Sequence, residues 1–158
     1  MDEGGSLLTV TYLDTSALMR LVTREGEFSI VRDTLRRSST TSKLTELELA
    51  AAVYQRWRAG VINETERGVL LATVRNDILP AATFVAIDEE VLREAGDMVA
   101  DYSVRSLDAI HLATAVIAAR HARRHGARLR FCTADRRQAA AAYSIFGASE
   151  VAFVPPPA

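Results

Sequence analysis

The 158 residues include one cysteine, four prolines, eight glycines and one tryptophan, and only 6% of the side chains are aromatic. A lone Cys132 can form no intramolecular disulfide and cannot fill a cysteine-based zinc site, the pattern of a chain that works in a reducing, cytosolic setting. No long apolar run is present, and the stretch before Tyr12 carries Asp2 and Glu3 with no basic cluster. Neither a membrane span nor a secretory signal is expected, so the protein should be soluble and intracellular. Charge of one sign is also missing: 19 basic and 20 acidic residues leave a net charge of −1. That excludes binding of nucleic acid by bulk charge alone, but not a local basic face.

What is present is a globular composition, with 49% hydrophobic and 25% charged residues. A chain of this length removes roughly 70% of its unfolded surface from water, enough for one core without staples. No repeat, linker or low-complexity block interrupts it, so residues 1–158 read as a single domain. Residues 154–158 form a proline-rich tail that cannot continue a central ladder.

Hydrophobic period alternates between short β-rich runs and longer helical patterns, as expected of an α/β fold with a mainly parallel sheet covered on both faces. Strands are expected at Leu8–Leu13, Ser38–Ser42, Thr83–Ile87, Leu129–Thr133 and Glu150–Val154. Helices are expected at about 17–23, 27–37, 44–58, 64–79 (ending at Pro80), 89–102, 107–124 and 136–146. Asp88 and Ser106 look like N-caps, and Gly60 and Gly126 like stops.

In an open parallel sheet, ligands bind beyond the carboxyl ends of the strands. Asp14 follows the first strand and Asp135 the fourth, while Asp108 lies in the first turn of an otherwise apolar helix. Glu46 and Glu48 open another helix. Each has an ordinary structural reading: Asp14 and Asp135 as N-caps, Asp108 as a first-turn acid favoured by the helix dipole, and Thr45 with Glu48 as a T-x-x-E capping box. Together they say more, because carboxylates converging at one sheet end repel one another unless a cation neutralises them. All-oxygen ligation suits Mg²⁺ or Mn²⁺ rather than zinc or copper, and such a site serves phosphodiester hydrolysis.

The runs Tyr12-Leu13-Asp14-Thr15-Ser16-Ala17-Leu18, Ser42-Lys43-Leu44-Thr45-Glu46-Leu47-Glu48-Leu49, Leu107-Asp108-Ala109-Ile110-His111-Leu112-Ala113-Thr114-Ala115 and Thr133-Ala134-Asp135-Arg136-Arg137 carry a resemblance. In them the chain resembles the PIN-domain family and, within it, the VapC-type toxins of bacterial and archaeal toxin–antitoxin modules. The resemblance implies a three-layer α/β/α sandwich around about five strands, and a Mg²⁺- or Mn²⁺-dependent endoribonuclease. It carries the catalytic and metal-binding acids onto Asp14, Glu48, Asp108 and Asp135. It favours Glu48 over Glu46, since the family's acid is followed directly by Leu after an S-x-L-T start. Periodicity leaves both open: Glu48 shares a face with Leu44 and Ala52, Glu46 with Ala50 and Val53. Thr15, Ser16 and Thr133 would sit beside the acids as hydroxyl partners for water or RNA phosphate, or serve only as cap and turn residues.

RNA needs positive charge, and with Lys43 the sole lysine, 18 of the 19 basic residues are Arg, seven of them between Arg120 and Arg137. That stretch could form a phosphate-contacting edge, with Arg136 and Arg137 nearest the acids in sequence. An Arg-rich, Ala-rich chain is equally what a GC-rich genome encodes. His111 reads as a packed, hydrogen-bonded helix residue, and Tyr54 and Trp57 as core or interface. The resemblance further implies a small antitoxin whose tail blocks the acidic groove, a toxin homodimer, and a cytoplasmic location. Two other classes compete: a PIN-like adaptor without activity, and a phosphotransferase using Asp14 as nucleophile. The second lacks the further Asp at position 16, or the late Lys, that such enzymes use.

Overall fold

The computed structural model describes residues 8–157. The Asp2–Glu3 segment, read as neither signal nor anchor, and Ala158 lie outside the described residues. Strand β1 (Leu8–Leu13) occupies the centre of a five-stranded sheet ordered β3-β2-β1-β4-β5, with β2 Ser39–Ser42, β3 Thr83–Val85, β4 Ala127–Thr133 and β5 Val151–Phe153. Every pairing is parallel, and Tyr12 and Leu13 lie opposite Phe131 and Cys132 of β4. An interior parallel strand is covered on both faces, which is why β1 reads as a run rather than an alternation. Tyr12 and Phe131 enter one core with Leu112, while Leu13 and Cys132 enter the other with Leu18 and Leu49. Each fully buried Leu or Phe contributes about 1.5–3 kcal/mol.

Helices α1 (Thr15–Thr23), α2 (Phe28–Leu35), α3 (Leu44–Arg58) and α4 (Glu64–Thr73) cover the Leu13 face; α5 (Glu89–Tyr102), α6 (Ser106–Arg124) and α7 (Arg136–Phe146) cover the Tyr12 face. The sheet is thus the middle of three α/β/α layers. The chain leaves β1 toward one edge and β4 toward the other, with helices on opposite faces. A crevice therefore opens between the carboxyl ends of β1 and β4, the switch point of a doubly wound sheet.

Two expectations need correction. The helix foreseen over 64–79 ends at Thr73, and the chain continues through a π-helical turn, Val74–Ile78, and a 3-10 turn, Leu79–Ala81. Pro80 has no N–H for the Asn76 carbonyl, and the wider turn keeps Val74 and Ile78 buried. Ser106 is not an N-cap: Ala109 N–H already bonds to the Arg105 carbonyl at 2.8 Å, so the helix starts one residue earlier than expected. The proline tail crosses the α1–α2 turn. There Gly26 has φ +59°, and a Cβ on it would lie 3.3 Å from the Pro157 nitrogen.

Candidate active site

Beyond β1 and β4 lies an open pocket of about 330 Å³, walled by Asp14, Ser16, Glu48, Asp108, Asp135 and Gln138 together with Thr15 and the α1 and α3 side chains Met19, Ala51, Ala52 and Gln55. Four acids far apart in sequence thus face one space. Among the described residues no three His, Cys, Asp or Glu side chains meet closely enough to make a ready-formed metal shell.

Asp14 is the most tightly held. As the N-cap of α1 it is 3% exposed, and its Oδ2 accepts from the Ser16 N–H (3.2 Å), the Ser16 hydroxyl (2.5 Å) and the Thr133 hydroxyl (3.0 Å). With its amide nitrogen turned inward, Gln138 donates to both Asp14 oxygens, at 3.1 and 2.8 Å; the opposite orientation would set its oxygen against a carboxylate. The N-cap reading of Asp14 therefore holds, and so does its place on the pocket wall. Asp135 is likewise double in role: its Oδ1 caps α7 by accepting from Arg137 N–H (2.8 Å) and Gln138 N–H (3.2 Å) while the residue lines the pocket.

The capping-box reading of Thr45 and Glu48 fails. Thr45 is buried inside α3, bonded to Thr41 Oγ1 at 2.7 Å, and Ser42 Oγ accepts the first helical N–H, from Leu44. This frees Glu48 to reach His111, whose Nε2 lies 2.8 Å from Oε1. Glu46 points elsewhere, pairing with Lys43 at the surface.

His111, 1% exposed, is the hub behind the wall: Nδ1 is 2.8 Å from the Tyr12 hydroxyl and 3.7 Å from Asp14 Oδ1, and Nε2 also lies 3.2 Å from Thr15 Oγ1. Burial alone would lower its pKa, but the Glu48 hydrogen bond and the charges of Asp14, Glu48 and Asp108 outweigh it and raise it. Partial burial, followed by repulsion from Asp135 and Asp14, raises the pKa of Asp108. Burial and Asp14 push the Cys132 thiol up to about 12, so it stays protonated and offers no nucleophile.

The remaining expected site residues divide. Thr15 and Ser16 line the pocket, whereas Thr133 is 0% exposed and its hydroxyl serves Asp14 from behind. Arg136, exposed at the start of α7, is not among the lining residues. The Arg120–Arg137 stretch is not one edge. At 1.5 Å per residue, Arg120 to Arg124 lie roughly 18–24 Å along α6 from Asp108; Arg120 pairs with Glu94, and Arg128 and Arg130 line a separate hollow with Arg37. Sequence reasoning missed Gln138, whose one signal is a polar residue opening an alanine-rich helical face. It also missed Arg20 and Arg56, which tertiary packing alone brings beside Asp135.

The fold and the motif positions are matched by a family model: that of the PIN domain covers residues 11–143. The chain belongs to the PIN domain family. This PIN domain is 30% identical to Ribonuclease VapC46 of Mycobacterium tuberculosis (strain ATCC 25618 / H37Rv), over 87% of this chain and 94% of that protein. In fold it is similar to PAE2754 from Pyrobaculum aerophilum (TM-score 0.60, 18% identity, 88% of this chain and 83% of that one). It is equally similar to a chain of a toxin–antitoxin complex from Klebsiella pneumoniae (TM-score 0.60, 17% identity, 90% and 95%). The VapC-type resemblance of the L-D-T-S-A-L and L-D-A-I-H-L-A-T-A runs thus has a named VapC relative beside it.

Proposed function

We propose that this PIN domain is a divalent-metal-dependent endoribonuclease acting as the toxin of a VapBC-type toxin–antitoxin pair. The observation that carries the reading is the convergence of Asp14, Glu48, Asp108 and Asp135 on one pocket at the switch point of the sheet. The likeness to a ribonuclease named VapC46 supports the same activity.

The donor set fits a hard ion: the acids, hydroxyls and amides lining the pocket offer oxygen, and neither His nor Cys lines it. In the proposed site Asp14 and Asp108 would hold Mg²⁺ or Mn²⁺, with Glu48 and Asp135 as further ligands or as partners of the attacking water. A bound ion would supply the positive charge that phosphodiester hydrolysis needs. The protein's own part is orientation. Ser16, Thr133 and Gln138 fix both oxygens of Asp14, and His111, anchored on Tyr12, fixes Glu48 from behind. The geometry is thereby set before substrate arrives, the condition under which positioned charges act best.

The partners in this reading are single-stranded RNA, a VapB-type antitoxin covering the pocket, and a second copy of the chain. Its place is the cytoplasm; among the described residues no helix is long and apolar enough to cross a membrane. The test is cleavage of a mixed RNA panel in Mg²⁺, Mn²⁺ or EDTA, with Asp108→Asn alongside. Cutting that needs metal and is lost in the variant is expected. Cutting that survives both EDTA and the variant would overturn the proposed site.

A further inference from the structure

Next to the acidic pocket lies a smaller recess of about 250 Å³, lined by Arg20, Glu25, Arg56 and Ala134 and sharing Ser16, Met19 and Asp135 with that pocket. Glu25 gathers both arginines. Its Oε2 accepts from Arg20 Nη1 at 3.4 Å, and Arg56 grips it twice, Nη1 to Oε1 at 3.0 Å and Nη2 to Oε2 at 3.3 Å. The main chain holds Glu25 in place: Arg24 adopts a left-handed φ of 54°, Glu25 N–H bonds to the Arg20 carbonyl at 3.0 Å, and the proline tail abuts Gly26.

Two guanidiniums on one carboxylate leave the triad one positive charge, in a recess that Asp135 also lines, and several unused N–H donors, since each Arg carries five. The Arg20 and Arg56 side chains are only 19% and 32% exposed, so much of their solvation is already lost. Guanidinium forks match phosphate oxygens as well as carboxylates, and the donors that Glu25 leaves unused are available to one.

We propose that Arg20 and Arg56, poised on Glu25, form a subsite for a backbone phosphate of single-stranded RNA flanking the bond held in the acidic pocket. The proposal rests on the ribonuclease reading, because it assumes that the acidic pocket receives the same strand. Glu25 keeps the two forks together, and the phosphate takes N–H donors that Glu25 leaves unused.

The experiment measures binding of a fluorescein-labelled mixed-sequence oligoribonucleotide by anisotropy across a NaCl series in Mg²⁺, in the Asp108→Asn background. Arg20→Gln and Arg56→Gln should each weaken binding and lower the slope of log affinity against log salt, by about 0.7 for each phosphate that is no longer neutralised. Glu25→Gln should do the reverse, tightening binding and steepening the slope, because it frees both forks. Glu27→Gln, which removes the same charge two residues away from an exposed position, should change neither. A purely structural role for the triad predicts that Glu25→Gln weakens binding or leaves it unchanged, and that result overturns the proposal. Thermal melts confirm that each variant is folded, and Arg56→Lys, which keeps charge but not the fork, should recover only part of the loss. Recovering the oligonucleotide on a gel separates the two readings: a cut probe means that the Asp108 assignment has failed, whereas an intact probe with no effect of the arginines means that the subsite has failed.

Discussion

Tyr12→Phe probes the link between the core and the site with the smallest possible change. The Tyr12 ring is 0% exposed and stacks on Phe131 at 5.4 Å and 7°, so phenylalanine keeps the packing and loses only the hydroxyl. That hydroxyl is the 2.8 Å partner of His111 Nδ1, in a place too buried for solvent to replace it. Leaving a buried polar group unpaired costs about 1–3 kcal/mol. Asp14 Oδ1, 3.7 Å from the same nitrogen, can recover part of this if the ring shifts, so the expected loss is about 1–2 kcal/mol. For a chain of this length that is roughly 2–8 °C in Tm. Urea unfolding in EDTA should show a lower midpoint with an unchanged m-value, since the surface exposed on unfolding is the same. A double-mutant cycle with His111→Gln should give a coupling of at least about 0.5 kcal/mol. Strict additivity, or a Tyr12→Phe midpoint equal to the wild type, would refute the argument that this bond anchors His111.

Glu48→Gln should abolish RNA cleavage while Glu46→Gln, whose side chain pairs with Lys43 at the surface, should leave the rate within twofold; equal effects would refute the distinction drawn between them. Asp108→Asn should raise the metal-free Tm at neutral pH, because ionised Asp108 is disfavoured in the folded state by burial, Asp135 and Asp14; a lower Tm would count against that repulsion. The metal-free protein should also lose stability as pH rises. The pKa of His111 is raised on folding, so its contribution is complete below about pH 6.5 and disappears as pH climbs through the folded value, and melts in EDTA from about pH 6 to 9 should show a decline that His111→Gln removes.

Strands and helices were legible where a residue's local pattern coincides with its place in the fold. The run from Leu8 to Leu13 is continuous because β1 is covered on both faces, and the α1–α3 and α5–α7 patterns fall on their helices within a few residues. Two of the acids were legible for a topological reason: a polar residue that follows a buried strand, as Asp14 and Asp135 do, must emerge at the switch point. Glu48 was not separable from Glu46 by period, since each shares a helix face with apolar residues. The motif resemblance favours Glu48, and the packing of α6 against β1, which sets His111 opposite Glu48, separates the two in space. The basic stretch misled for the converse reason. Residues close in sequence between Arg120 and Arg137 run away along α6 and back along β4, whereas Arg20 and Arg56 meet where α1 packs on α3.

The arrangement also resolves a conflict in charge. A pocket walled by four carboxylates repels the polyanion it is proposed to cut, and the chain as a whole, at −1, has no surplus field to overcome that. On the proposed reading local devices do so: a divalent ion among the acids for the reacting phosphate, and the Arg20–Arg56 pair for a neighbour. The second is already built and restrained by Glu25, so it needs no ion and adds attraction where the first is still repulsive. Metal and arginine effects on RNA affinity should therefore be separable, the salt slope following the arginines and the cleavage rate following the acids.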